Sequence, residues 1–140
     1  MDIIKWEDRF SVGNSAIDAQ HKRLFDILNS IAQNVHTSVQ SDSITHLLNQ
    51  LSSYASYHFT FEQKNMQEIG YPDYLSHLEQ HRQYIKKVFQ LTNDAINEKQ
   101  SVTQEMFDFL QTWLLNHVLK SDQQAWEYAR QHENQNHLSR

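Results

Sequence analysis

The stretch IDAQHKRLFDILNSIAQNV, residues 17–35, sets Ile17, His21, Leu24, Leu28, Ile31 and Val35 at alternating steps of four and three. That spacing lays one continuous apolar stripe along an α-helix, and a histidine stands inside the stripe. Working outward, the helix is expected from about Ser15 to Thr37. An arm, residues 1–14, precedes it, with Trp6, Phe10 and Val12 packing while Gly13 and Asn14 turn the chain. Ser41 or Asp42 caps a second helix reaching about Glu68, whose stripe is Leu47, Leu51, Tyr54, Ala55, His58, Glu62, Met66 and Ile69. Gly70 and Pro72 stop it. Pro72 and Asp73 open a third helix to about Lys99, with Tyr74, His77, Leu78, His81, Ile85, Val88, Leu91 and Ala95 on one face. Ser101 or Thr103 caps the fourth, with the stripe Met106, Leu110, Trp113, Leu114 and His117, and weaker amphipathic character continues through Trp126 and Tyr128 before a polar tail. Helices of such length joined by short connections prefer antiparallel neighbours. The expected fold is therefore all-α: an up-down-up-down antiparallel four-helix bundle with an N-terminal arm. A single domain over 1–140 is expected, with the arm at 1–14, the bundle at about 15–122 and a C-terminal extension at about 123–140.

Composition removes the competing classes. A chain of 140 residues holds one core of ordinary size. Only 2 Gly and 1 Pro occur, far too few for the turns of a sandwich or barrel. The absence of Cys excludes disulfides, iron–sulfur clusters, thiolate zinc sites and cysteine nucleophiles together. A net charge of −5 without any long Lys/Arg run lacks the electrostatic footprint of a nucleic-acid binder. No stretch of membrane-spanning length is apolar, and MDIIKWEDRF is too acidic and polar for a signal peptide, so a soluble, cytoplasmic protein is expected, with no nucleic acid and no membrane as partner.

Histidine is the anomaly, 9 in all. His21, His58, His77, His81 and His117 fall on the apolar stripes, as does Glu62. Helix positions four apart are separated by about 400°, so His58/Glu62 and His77/His81 each point one way as a pair. Asp122 follows His117 by five residues, about 140° around a regular helix, and the two can share a centre only through a π-bulge or local unwinding. A single histidine on an apolar face is more often a hydrogen-bonded core residue than a ligand. Clustered imidazoles and a carboxylate in a dry core need a cation, because each buried polar group is otherwise left unpaired. A ligand set of nitrogen and oxygen without sulfur suits iron, manganese, cobalt or zinc, and it exceeds what one ion can hold. If both carboxylates bridge two octahedral ions that also share one oxygen, a single coordination position stays open. His36, His46, His132 and His137 lie off the pattern and are expected at the surface.

The runs IDAQH (17–21), HFTFE (58–62), YPDYLSHLEQH (71–81) and WLLNHVLKSD (113–122) resemble the motifs of hemerythrins, specifically the bacterial single-domain members. The likeness extends from Trp6 to about Asp122. It implies two iron ions, non-haem and oxygen-bridged, one held by His77, His81 and His117, the other by His21 and His58, with Glu62 and Asp122 bridging. It implies reversible dioxygen binding at the iron with two histidines, beside an apolar pocket of Leu24, Phe59, Trp113, Leu114 and Val118. Plain core packing would place these pocket residues equally well. Gln63 departs from the many relatives with a second Glu there and, following Glu62 directly, is expected to point elsewhere.

Reversible carriage, storage or delivery of dioxygen is the reading that follows, and no enzymatic activity is expected. The rivals are an oxygen sensor module and a di-iron oxidase or iron-handling protein. The oxidase class needs two Glu-x-x-His motifs and a carboxylate-rich site; no Glu-x-x-His occurs here. Sensors are usually fused to an output domain, for which a chain of 140 residues has no room. A monomer is expected, serving an oxygen-consuming partner protein.

Overall fold

The computed structural model describes residues 4–34, 41–96 and 104–138. Its elements are a 3-10 turn at Asp8–Phe10 and helices α1 (Ser15–Asn34), α2 (Ser41–Glu68), α3 (Tyr74–Ile96) and α4 (Gln104–Asn116). A π-helical turn, His117–Asp122, then runs without a break into α5 (Gln123–Leu138). Consecutive helices pack side by side and α4 returns to α1, which closes an antiparallel four-helix bundle. No helix among the described residues is long and apolar enough to cross a membrane. The expected ends at Thr37 and Lys99, the caps at Ser101 or Thr103, Val35 and His36, and the side chains of Ala95 and His137 lie outside the described residues.

Local chemistry fixes the entry to α1 and the exit from α2. Asn14 accepts the amide of Ile17 at 3.1 Å, as an N-cap does. Asp18 accepts the Val12 amide at 2.9 Å and the Ser11 hydroxyl at 2.5 Å, tying the arm to the first turn of α1. Farther back, Asn29 exchanges two 2.8 Å hydrogen bonds with the backbone of Ile4, and Trp6, Phe10 and Phe25 form a ring cluster over α1. Helix α2 ends in a Schellman motif: the Gly70 amide donates to Gln67 and the Tyr71 amide to Met66, with Gly70 at φ +65°. Tyr71 and Met66 complete the motif's apolar contact in a small satellite core with Ala125.

The core follows the expected stripes with three shifts. At the start of α2 the buried residues are Ile44 and Leu48, and Leu47 is only partly covered, because Leu48 and Ile44 stand three and seven residues before Leu51. In α3 the fully buried ring is Tyr84, three residues after His81, with Ile85 partly covered beside it. Its hydroxyl donates to the Leu110 carbonyl at 3.2 Å, which lets a phenol sit at the centre of the bundle. In α4, Phe107 is buried and Met106 is at the margin. The residues after Asp122 also form more structure than a weak extension. Gln123 donates to the carbonyls of Arg9 and Ser11, and Arg130 reaches the Val12 carbonyl, so α5 is fastened to the arm.

Candidate metal centre

Every helix of the bundle sends a polar side chain to one level of the core. His21 comes from α1, His58 and Glu62 from α2, His77 and His81 from α3, and His117 and Asp122 from the π-helical turn; all are buried. The wider turn solves the spacing of the last pair. A regular helix would carry Asp122 well round from His117, and the π turn brings both to the interior.

Two ligand groups result. His77, His81, His117, Glu62 and Asp122 form one, and His21, His58, Glu62 and Asp122 the other, with one donor atom per residue and all donors in a group within 4.8 Å of one another. Both carboxylates belong to both groups. Glu62 Oε1 lies 2.5 Å from His77 Nε2 and 3.2 Å from His81 Nε2, while its Oε2 lies 3.2 Å from His58 Nε2. Asp122 Oδ1 lies 3.1 Å from Nε2 of His77 and of His117, while Oδ2 lies 3.1 Å from His21 Nε2. Each carboxylate thus gives one oxygen to each group, which is how a carboxylate bridges two cations.

Hydrogen bonding does not account for this packing. His21 Nε2, His58 Nε2, Glu62 Oε2 and both Asp122 oxygens are sealed from solvent and have no hydrogen-bond partner; the close approaches among them lack hydrogen-bond geometry. His81 Nε2 and His117 Nε2 face each other at 2.9 Å. Orphaned donor atoms converging in a dry core fit divalent ions held by nitrogen and oxygen.

Burial pushes the His117 imidazole down, but the charge of the Asp122 carboxylate 3.1 Å away overcomes it and, with Glu62, lifts the group to about 10. His77 is raised in the same way: burial opposes, and the close carboxylates of Asp122 and Glu62 prevail. Burial wins at His81, which falls to about 4. Glu62 and Asp122 are held below the usual carboxylate range, because the surrounding imidazoles outweigh burial for both.

Three of the ring nitrogens that face away from the centre, those of His58, His81 and His117, have partners that sequence reading missed, while His21 Nδ1 is buried without one. His58 Nδ1 meets Gln20 Oε1 at 2.6 Å. His117 Nδ1 meets Gln80 Oε1 at 3.0 Å, and the same oxygen accepts the Ser121 hydroxyl at 2.9 Å. Gln63 does point away from the centre, yet it reaches the back of His81, with its amide 2.9 Å from Nδ1. Each of these glutamines sits beside a ligand in sequence, and nothing in the residue pattern separates them from the others in the chain.

Of the apolar residues, Leu24, Phe59, Leu114 and Val118 are buried and Trp113 is partly covered. Phe59 stacks on His81 with centroids 3.9 Å apart and lies 5.7 Å from His58, so it spans both groups. Trp113 stacks on His117 at 4.7 Å. His46 is exposed, and His132 stacks on Tyr128 in α5, apart from the centre.

Residues 12–128 match the family model of the hemerythrin HHE cation binding domain. A bacteriohemerythrin of Stenotrophomonas maltophilia is 31% identical over 96% of this chain and 87% of its own length. One of Clostridium acetobutylicum is 32% identical over 85% of this chain and 95% of its own length. The crystal structure of a wild-type hemerythrin superposes with a TM-score of 0.81 at 28% identity, covering 87% of this chain and 94% of that one.

Proposed function

The chain belongs to the hemerythrin family, and from that premise we propose that it binds dioxygen reversibly at a non-haem di-iron centre, as a carrier, store or delivery protein. The observation that carries the reading is the division of Glu62 and Asp122 between two histidine groups. His77, His81 and His117 would hold one iron, His21 and His58 the other, and the two carboxylates would bridge them. A bound ferrous pair supplies two adjacent one-electron reductants for dioxygen.

The side chains do the rest. Three imidazoles fill the nitrogen positions on one side and two on the other, so the two-histidine side has room for an exogenous ligand. Leu24, Leu114 and Val118 exclude water from the core around the centre, and Phe59 and Trp113 hold the rings of His81 and His117 in place. Dryness favours a carrier over an oxidase, because loss of reduced oxygen needs protons and solvent access. The ligand set points the same way, being rich in imidazole where di-iron oxidases are rich in carboxylate. The fastening of α5 to the arm supports reading 1–140 as a single domain.

An absorption cycle on protein of measured iron content tests this. Reduced, anaerobic protein should change its spectrum on admitting oxygen and return on purging with argon. Protein that shows no recoverable spectrum, or that consumes a reductant catalytically under oxygen, overturns the carrier reading.

A further inference from the structure

Three of the five histidines in the two ligand groups have the nitrogen facing away from the centre set against a glutamine amide: His58 against Gln20, His81 against Gln63, and His117 against Gln80. No carboxylate occupies these positions. Imidazoles that ligate metal commonly donate the other ring N–H to a carboxylate, a carbonyl or water, and the strength of that acceptor sets how much electron density the ring passes to the metal. A carboxylate acceptor makes the ring a stronger donor and adds negative charge, both of which favour the ferric state. An amide acceptor fixes the same tautomer and orientation without either effect.

We propose, on the basis of the di-iron reading, that Gln20, Gln63 and Gln80 are positioning residues that form a neutral amide shell and bias the iron pair toward its ferrous state. Ligation through Nε2 leaves the proton on Nδ1, so each amide must present its oxygen. Gln20 and Gln80 do so already, and the hydroxyl of Ser121 donates to the same Gln80 oxygen. Gln63 shows its nitrogen to His81, and a half-turn of the amide exchanges the two atoms. Gln80 has a second effect. Its oxygen joins His117 to Ser121, the first and fifth residues of the π-helical turn, and so holds the turn that delivers Asp122.

The test is a pair of substitutions at each position in iron-loaded protein. Gln20→Glu, Gln63→Glu and Gln80→Glu keep an acceptor behind the ring and should lower the midpoint potential of the iron pair while iron content stays at the wild-type level. Gln20→Leu and Gln80→Leu remove the acceptor and should weaken metal binding by about 10- to 100-fold in chelator competition. Gln63 is only partly buried, so its Glu variant gives a folded readout even if a carboxylate at buried Gln20 prevents folding. Potentials unchanged in the folded Glu variants, with wild-type metal affinity in the Leu variants, would overturn the amide-shell proposal and leave the di-iron reading standing. Wild-type protein that takes up no iron overturns the di-iron reading, and the shell with it.

Discussion

Glu62 and Asp122 reach the core from diagonally opposed helices and meet at one imidazole, with His77 Nε2 2.5 Å from Glu62 Oε1 and 3.1 Å from Asp122 Oδ1. Across the bundle axis the charge of Glu62 raises the cost of ionising Asp122. Two like charges in a sealed core need positive charge beside them, which metal ions between the carboxylates and the rings would supply.

Metal content should therefore depend on the shared carboxylates far more than on any surface histidine. Wild-type protein is expected to hold two irons per chain. Glu62→Ala removes a donor from both groups and should lose most of the metal, whereas His46→Ala, at an exposed position, should match wild type. Elemental analysis of both variants checks this; full metal in Glu62→Ala would show that the carboxylate is not a bridge.

Loading should be coupled to stability. A ligand that binds only the folded state adds about 4 kcal/mol when present at roughly a thousand times its dissociation constant. Iron-loaded protein should melt well above the chelated form, and equal melting temperatures would place the metal outside the core. Because the ligands must be deprotonated to bind, metal should also be released as pH falls.

Dryness is testable at Leu114, buried in the main core cluster without being a candidate ligand. Leu114→Asn should retain both irons but shorten the life of the oxygenated protein, read as faster loss of the recoverable spectrum under air. An unchanged lifetime would assign Leu114 to packing alone.

The two glycines should differ in cost. Both have positive φ, +80° at Gly13 and +65° at Gly70. For Gly70→Ala the new methyl meets open space, so the penalty is the left-handed backbone alone, about 1–2 kcal/mol. Gly13→Ala adds a clash with the Arg130 guanidinium, which reaches the neighbouring Val12 carbonyl, and should cost more by loosening α5 from the arm. Denaturant titration of both variants gives the order, and a Gly70→Ala cost equal to that of Gly13→Ala would remove Arg130 from the account.

The one-dimensional pattern determined the helices and the residues that point inward. Stripes at helical period are a local property, and His21, His58, Glu62, His77, His81 and His117 declare themselves by standing on them. The five-residue step from His117 to Asp122 called for a π-bulge or local unwinding if the two were to share a centre, and a π turn is there. What the tertiary structure decided lies in relations between helices. The choice of Tyr84 over Ile85 as the central ring depends on the Leu110 carbonyl across the bundle. That Gln20, Gln63 and Gln80 back particular imidazoles depends on how the helices are turned against one another, since an amide on a helix surface has no period to betray it. The same holds for α5, whose weak amphipathicity reads as a tail until the arm supplies the carbonyls that Gln123 and Arg130 hold.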